Sequence, residues 1–474
     1  MRPAPLRAAL LIALVLAVLA ALCTDALALS GTAVKVSEPV RYGNPAVAVD
    51  AAGTAYIAWA NTTELGGNGN TVEYCALPAG ATGCSHTGTL HLAGGAKPAV
   101  GQVQVIVDGA TVAVLAEVYG VGQEYEPVQE WQSTDGFATF SQVNAGKSVA
   151  NAVLNADTGP LNALIVPGTN LLGYAFVTAA GPPTFDAFPL ASPPQCSAKE
   201  CPAAETFATL EPEPERTLHP LGNPGGSFAS MAGATPGILG VYETLGKPGC
   251  ASGVDDTAFV YGAGNQSATN SYDVSPGEPN SAWKVGLAPG DCEVQYAAAG
   301  GGPSGLGVAE KNVAIGEEIY HRFNSTTMSF EPSTTTIANE GGLWTSVNQD
   351  GAGGIYVTYL GNAADQIRLA YSSDGGATWT GPATLNPNAD LHAGNLVSAV
   401  GPTGQGWAVW RDGEAITAQQ FDSADAVVPP APKPAPVVTP PPPPTSEFTV
   451  ESPNRTGRSR SRSSSSSRAR PRSK

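Results

Sequence analysis

Apolar residues along this chain come in short runs that alternate with polar ones, and glycine or proline punctuates almost every run. Three segments repeat one pattern closely. Pro45-Ala-Val-Ala-Val-Asp-Ala-Ala-Gly53 leads into Thr-Ala-Tyr-Ile-Ala-Trp59, and Leu343-Trp-Thr-Ser-Val-Asn-Gln-Asp-Gly-Ala-Gly353 leads into Gly-Ile-Tyr-Val-Thr-Tyr359. Leu396-Val-Ser-Ala-Val-Gly-Pro-Thr-Gly404 leads into Gln-Gly-Trp-Ala-Val-Trp410 in the same way. Each reads as an alternating strand, a glycine-bearing turn and an aromatic-rich strand. A period of two between tight turns, with the helical period nearly absent, predicts an all-β chain.

Looser copies of the pattern begin near Pro98, Ala150, Phe228 and Cys292. The starts lie roughly 50 residues apart, the spacing of propeller blades. One small sheet cannot bury both of its faces, so copies stack radially and protect one another's edges. The fold class is therefore read as an all-β, β-propeller with seven blades favoured and six as the alternative; a pair of β-sandwiches ranks third. The last repeat lacks an outer strand after Phe421. The segment Thr32-Ala-Val-Lys-Val-Ser-Glu-Pro39 is expected to supply it and so join the two ends of the domain.

The chain's two ends differ from its body. Arg2 and Arg7 precede an apolar run from Ala8 to Leu22, and Ala26-Leu27-Ala28 offers a small–x–small cleavage pattern. This run is short for a membrane span and reads as an export signal over residues 1–28. The propeller domain is placed at 29–428. Residues 429–452 form a proline-rich, extended linker. Residues 453–474 form an Arg/Ser-rich tail too polar to bury a core, and so a disordered one. The expected location is secreted and extracellular, with the tail offering association with the cell surface.

Charge sharpens this division. The chain carries a formal net charge of −17, yet Pro453 to Lys474 holds only basic charges. An acidic body repels polyanions, whereas a basic tail attracts them. The partners expected are a glycan or a cell-envelope polyanion held by the tail, with the propeller itself a monomer. Removing Cys23 with the leader leaves six cysteines, and an exported chain uses an even set for disulfides. Local spacing favours Cys75–Cys84, Cys196–Cys201 and Cys250–Cys292 among the possible pairings. No CxxC occurs and the histidines are scattered, so neither a metal nor a cofactor is expected.

One motif carries a family resemblance. Ser372-Ser-Asp374-Gly-Gly376-Ala-Thr378-Trp379 follows the strand-like Ile367-Arg-Leu-Ala-Tyr371 and fits the Ser-x-Asp-x-Gly-x-Thr-Trp pattern of an Asp box. Ser133-Thr-Asp135-Gly-Phe-Ala-Thr139-Phe140 keeps the pattern except for Phe137 in place of glycine. Phe323-Asn-Ser-Thr-Thr-Met-Ser-Phe330 keeps only a hydroxyl-rich turn and the last aromatic. The chain thus resembles the sialidase-like (Asp-box, BNR-repeat) propeller superfamily. Turn carboxylates accept hydrogen bonds from nearby backbone N–H groups, which gives Asp374 and Asp135 a structural reading.

The resemblance implies a catalytic set of three converging arginines, a Tyr–Glu nucleophile pair and an aspartate acid/base. The nearest match to the arginine motif is Arg41-Tyr-Gly-Asn-Pro45, with its proline two positions late, which leaves Arg41 as a weak binding candidate. The propeller region has only Arg41, Arg216, Arg322, Arg368 and Arg411 to draw on. No residue is assigned a catalytic role. The doublet Glu317-Glu318 reads as solvated surface, and Trp59, Tyr359, Trp407 and Trp410 read as packing between blades. The function expected is non-catalytic binding or scaffolding outside the cell, with glycans as the candidate ligand. The alternative is a divergent exo-acting glycoside hydrolase of sialidase type.

Overall fold

The computed structural model describes residues 31–37, 45–61, 71–92, 99–119, 125–143, 150–153, 162–165, 171–178, 181–190, 205–206, 226–231, 237–245, 255–263, 283–287, 294–361, 366–386, 396–413 and 415–426. The segments expected to be an export signal, a linker and a tail, together with Arg41, Cys196, Cys201, Cys250 and Cys292, lie outside them. All of the described residues belong to one unit, Met1–Val428.

The described strands assemble into seven antiparallel sheets. The first comprises Pro45–Val49, Ala55–Asn61, Thr71–Leu77 and His86–His91 in sequence order. The second comprises Ala99–Asp108, Thr111–Tyr119, Tyr125–Ser133 and Ala150–Val153, with Ser141–Gln142 also pairing its third strand. The third runs Asn162–Ile165, Leu171–Thr178, Gly181–Pro189, Glu205–Thr206, and the fourth Gly226–Met231, Gly237–Leu245, Asp255–Ala263, Trp283–Leu287. The fifth holds Val294–Gly302, Gly305–Asn312, Glu317–Asn324 and Ser329–Ala338, and the sixth Leu343–Gln349, Ile355–Leu360, Ile367–Ser372 and Thr380–Asn386.

The seventh sheet closes the circuit. Val397–Val400, Gly406–Asp412 and Ala415–Phe421 receive Val34–Lys35 as their outer strand, with Val34 opposite Ala418. Val36 N–H donates to Ile416 O at 2.9 Å, and Ile416 N–H donates to Ser37 Oγ at 2.8 Å. The first strands of successive sheets lie side by side, and that of the seventh returns to that of the first. This is the up-and-down order of a β-propeller, and the amino-terminal segment completes the last sheet as its sequence suggested.

One repeat start needs correction. Ala150–Val153 is the outer strand of the second sheet, paired with Tyr125–Val128, and the third sheet begins instead at Asn162. Alternation alone does not distinguish an inner strand from an outer one, because both present one face to a neighbouring sheet.

The second strands of the first, sixth and seventh sheets are buried on both faces, which explains their apolar and aromatic composition. In Ala55–Asn61, Tyr56 and Ala58 pack toward the second sheet while Ile57 and Trp59 pack toward the seventh. Trp59, Tyr359, Trp407 and Trp410 are all buried between sheets. Hairpins between first and second strands reuse one aspartate device. Asp50 Oδ1 accepts from the N–H groups of Ala52 and Thr54, and its Oδ2 accepts from Tyr56. Asp350 does the same for Ala352, Gly354 and Tyr356. Gly53 and Gly353 take φ of 79° and 89°, a left-handed backbone that favours glycine.

Candidate functional face

Strand direction divides the propeller into two ends. The hairpins at Asp50 and Asp350, and the turns at Ser133–Phe140 and Ser372–Trp379, lie at one end. The described turn between Asn312 and Glu317, and the connection from the fifth sheet to the sixth, lie at the other.

At the first end, the two Ser-x-Asp turns carry matching hydrogen bonds. Ser372 Oγ donates to Asp374 Oδ1 at 2.8 Å and accepts from Gly376 N–H at 2.8 Å. Asp374 accepts from the Thr378 N–H at 2.8 Å and from the Thr378 hydroxyl at 2.6 Å. Ser133, Asp135, Phe137 and Thr139 repeat this arrangement at 2.6 to 3.0 Å. The threonine hydroxyl and N–H hold each aspartate's pKa down to about 2. With their oxygens engaged by their own turns, these carboxylates are poorly placed to move protons. The closing aromatics dock on the preceding sheet. Trp379 Nε1 donates to Thr335 at 3.1 Å and its ring meets Tyr320 at 5.2 Å, while Phe140 meets Tyr74 at 4.7 Å. In Phe323–Phe330 the turn is built differently, with Asn324 Oδ1 accepting from Thr326 and Thr327 N–H.

At the opposite end, the connection from the fifth sheet to the sixth gathers polar groups. Arg368 Nε lies 2.8 Å from Glu340 Oε1, and its NH2 donates to Glu340 Oε2 at 3.3 Å. The guanidinium also donates to Thr384. Both members of the pair are 22% exposed, so the pair reaches solvent. Beneath it, the Tyr359 hydroxyl donates to Glu340 at 3.4 Å. Burial, then the charges of Glu318 and Glu340, push that phenol well above its ordinary range. At the same end Asn312 and Glu317 bound a turn whose Val313 and Ile315 are the exposed large apolar side chains among the described residues, Ile315 at 61%.

Glu318 is a correction to the sequence reading. Expected on the surface, it is fully buried at the interface of the fifth and sixth sheets. It accepts from Gly342 N–H at 2.9 Å and Thr345 Oγ1 at 2.8 Å. Desolvation nevertheless raises its pKa to about 7, with Glu310 adding to the rise and these hydrogen bonds and Lys311 opposing it. Strand alternation is the reason: Glu317 and Glu318 point to opposite faces, so only one of the doublet meets water. His321 and Glu310, 2.8 Å apart and buried, occupy the other face of the same strand pair. Glu130, buried in the second sheet, is likewise raised to about 7 by desolvation, against a hydrogen bond from Gln132.

The arginines among the described residues do not gather in one place. Arg368 sits near the start of its strand, at the Glu340 end. Arg322 sits near the end of its strand, and a Cβ built on Gly375 would lie 3.5 Å from its NH2, which places it beside the Ser372–Trp379 turn. Arg411 donates to Gly413 O at 3.0 Å. Arg41 and Arg216 lie outside the described residues. Of the disulfides, Cys75–Cys84 is formed and links the third strand of the first sheet to the segment before its fourth.

No family model matches the sequence, and no curated protein is similar to it. Similar solved structures include an α-L-arabinofuranosidase from Fusarium graminearum bound to an iminosugar inhibitor. It shares 10% identity over 83% of this chain and 98% of its own, with a TM-score of 0.49. An α-L-arabinanase from Penicillium chrysogenum with arabinobiose shares 10% identity over 84% and 99%, at 0.48. A Hadza microbial sialidase shares 11% identity over 81% of this chain and 66% of its own, at 0.40. The β-propeller itself is established by this chain's own sheet order.

Proposed function

We propose that this chain is an exported, monomeric β-propeller that binds neutral glycans outside the cell without hydrolysing them, using the end opposite its Ser-x-Asp turns. Those turns are Asp boxes on this reading and serve the architecture. The observation that carries the proposal is the chemistry of the other end, which presents exposed Val313 and Ile315 and the part-exposed Arg368–Glu340 pair. Apolar surface next to a few fixed polar groups suits a sugar, whose C–H faces and hydroxyls need both. The guanidinium offers donors and the carboxylate acceptors to neighbouring hydroxyls. A formal net charge of −17 disfavours an anionic ligand on the propeller body. The basic tail, Pro453 to Lys474, is the separate contact with envelope polyanions.

The test is a glycan array probed with the purified full chain, alongside one lacking residues 453–474. Retention of neutral oligosaccharides by both forms, insensitive to salt and weakened by Arg368→Ala, is the expected result. Polyanion retention should require the tail and fall steeply as salt rises. An array with no neutral glycan retained would sink the reading.

Hydrolysis is favoured by one specific observation. Tyr359, Glu340 and Arg368 adjoin, and they are residue types that the sialidase resemblance implies. Against it, Tyr359 is fully buried and its phenol is raised, so it is a poor nucleophile. Release of aglycone from aryl glycosides or sialosides, abolished by Glu340→Gln, would replace binding with catalysis.

A further inference from the structure

Among the described residues, Phe137, Tyr296, Met328 and Trp344 hold a left-handed backbone without being glycine. Phe137 lies in a Ser-x-Asp turn and Met328 in the turn between Asn324 and Ser329, where a tight reversal calls for such a backbone. Tyr296 and Trp344 are not in turns. They stand inside the strands Val294–Gly302 and Leu343–Gln349, with φ of 58° and 56°. These are the first strands of the fifth and sixth sheets, side by side in the ring of first strands about the propeller axis.

The cause is the same β-bulge in each strand. Gln295 pairs with Lys311 and Ala298 with Ala309, so Tyr296 and Ala297 together oppose Glu310. Leu343 pairs with Leu360 and Ser346 with Thr358, so Trp344 and Thr345 together oppose Tyr359. A left-handed first bulge residue is ordinarily glycine, and an aromatic there costs about 1–3 kcal/mol. The bulge also re-aims a side chain. Simple alternation would put Trp344 and Leu343 on opposite faces, yet both pack against the cluster between the sixth and seventh sheets, and Thr345 takes the face toward Glu318.

Both bulges lie at the starts of their strands, at the Glu340 end; Val294 pairs with Asn312, beside the Asn312–Glu317 turn. In the sixth sheet the bulge shares a row with Tyr359 and its partner Arg368. Two strand spacings, about 10 Å, separate the backbones of Trp344 and Arg368. Tyr296 and Trp344 are only half-buried, so part of each meets solvent, whereas Phe137 is fully buried. Packing therefore repays the strained backbone at Phe137 far better than it does at these two.

We infer that Tyr296 and Trp344 are the sugar-stacking residues of the glycan site, taking the C–H faces of two linked neutral sugar rings while the Arg368–Glu340 pair meets hydroxyls of the same oligosaccharide. This inference rests on the glycan-binding reading and names its ligand as a chain of at least two rings. Facing sheets stand about 10 Å apart, so aromatics at matched positions in neighbouring sheets suit successive rings. Tyrosine and tryptophan each offer an apolar face with a polar tip, as a wet sugar surface requires. Strain held in a strand at a part-exposed aromatic is the kind that a binding role retains.

The experiment titrates the full chain and its Tyr296→Gly, Trp344→Gly, Trp344→Phe and Phe137→Gly variants with cellotetraose, xylotetraose and galactotetraose by calorimetry, and measures each variant's unfolding midpoint. The wild type should bind at least one tetrasaccharide. Tyr296→Gly and Trp344→Gly should each weaken it about tenfold. Trp344→Phe, which keeps a ring, should retain most of the affinity, and Phe137→Gly, at the other end, all of it. Because glycine relieves the left-handed backbone, the midpoints of Tyr296→Gly and Trp344→Gly should fall less than that of Phe137→Gly. Unchanged affinity in either of these two glycine variants would overturn this inference and leave the glycan-binding reading standing. Midpoints falling as far as that of Phe137→Gly would also overturn it, by showing that the two aromatics serve the core. A wild type that binds none of the tetrasaccharides would overturn both.

Discussion

Phe137 packs edge-on against Tyr56 of the preceding sheet, ring centroids 4.9 Å apart, from a backbone position where the companion turn has Gly376. The two residues share a left-handed backbone, with φ of 72° and 87°. Phe137 is fully buried and also meets Tyr74 and Phe140, so its ring fills the space between the first two sheets. At Gly376 that space is taken by Tyr320, whose Cε1 lies 2.4 Å from where a Cβ would stand. One turn has thus exchanged backbone ease for packing, and the other has kept the glycine.

Replacing these residues should therefore have opposite causes and the same sign. Phe137→Gly relieves backbone strain of roughly 1 kcal/mol but forfeits about 3–5 kcal/mol of buried aromatic packing. A net loss of stability is expected in denaturant titrations. Gly376→Ala should also destabilise, through the contact with Tyr320. A neutral Phe137→Gly would mean that the ring contributes no packing.

Stability should pass through an acid-side maximum. Glu318 and Glu130 titrate near pH 7 when folded, above the ordinary 4.5. Below 4.5 they are neutral in both states and cost nothing. As pH rises from there toward 7 the unfolded chain alone ionises, so stability falls, by on the order of 3 kcal/mol for a fully buried carboxyl, and then levels off. Asp135 and Asp374 are held near 2 against an ordinary 3.8, so their contribution is present above 3.8 and lost as pH drops toward 2. Melting curves across pH 2 to 8 should peak between these windows, and Glu318→Gln should flatten the neutral limb. A profile that rises from pH 5 to 7 would contradict the burial of these two carboxyls.

The Cys75–Cys84 bond closes a sequence separation of 9 residues. Loop-closure entropy for so short a loop corresponds to roughly 2–3 kcal/mol. Cys75→Ala with Cys84→Ala should lower the unfolding free energy by about that much, and added reductant should then have no further effect through this bond. A double variant as stable as the parent would show that the bond only decorates a hairpin already held by its strands.

The segment Gly31–Ser37 should govern cooperativity. Its Val34–Lys35 strand is the outer edge of the seventh sheet, so removing it leaves that sheet with an unpaired strand. Deleting residues 31–37 should broaden the unfolding transition and raise aggregation, as exposed edge strands do. A single sharp transition at the parent midpoint would mean that closure relies on side-chain packing between the first and seventh sheets instead.

The alternating repeats, the glycine turns and the Ser-x-Asp patterns were legible from order alone, because a strand's period and a turn's dihedral demands are local. So were the edge strand at Val34 and the short-range Cys75–Cys84 bond, since both follow from a missing partner or from close spacing. The start of the third sheet was misread at Ala150, because inner and outer strands share one period. Glu318 was misread because a charged pair in sequence says nothing about which member meets the next sheet.

What the order of residues determined by itself is the set of strands and turns, since these answer to steric and hydrogen-bonding rules within a few residues. What only the tertiary structure decided is which polar atoms find partners. Glu340 reaches Tyr359 and Arg368 from a connection between sheets. The indoles of Trp59 and Trp410, matched to Tyr359 in their strands, are left without an acceptor. Such pairing depends on how neighbouring sheets meet, and residues distant in the chain set that geometry.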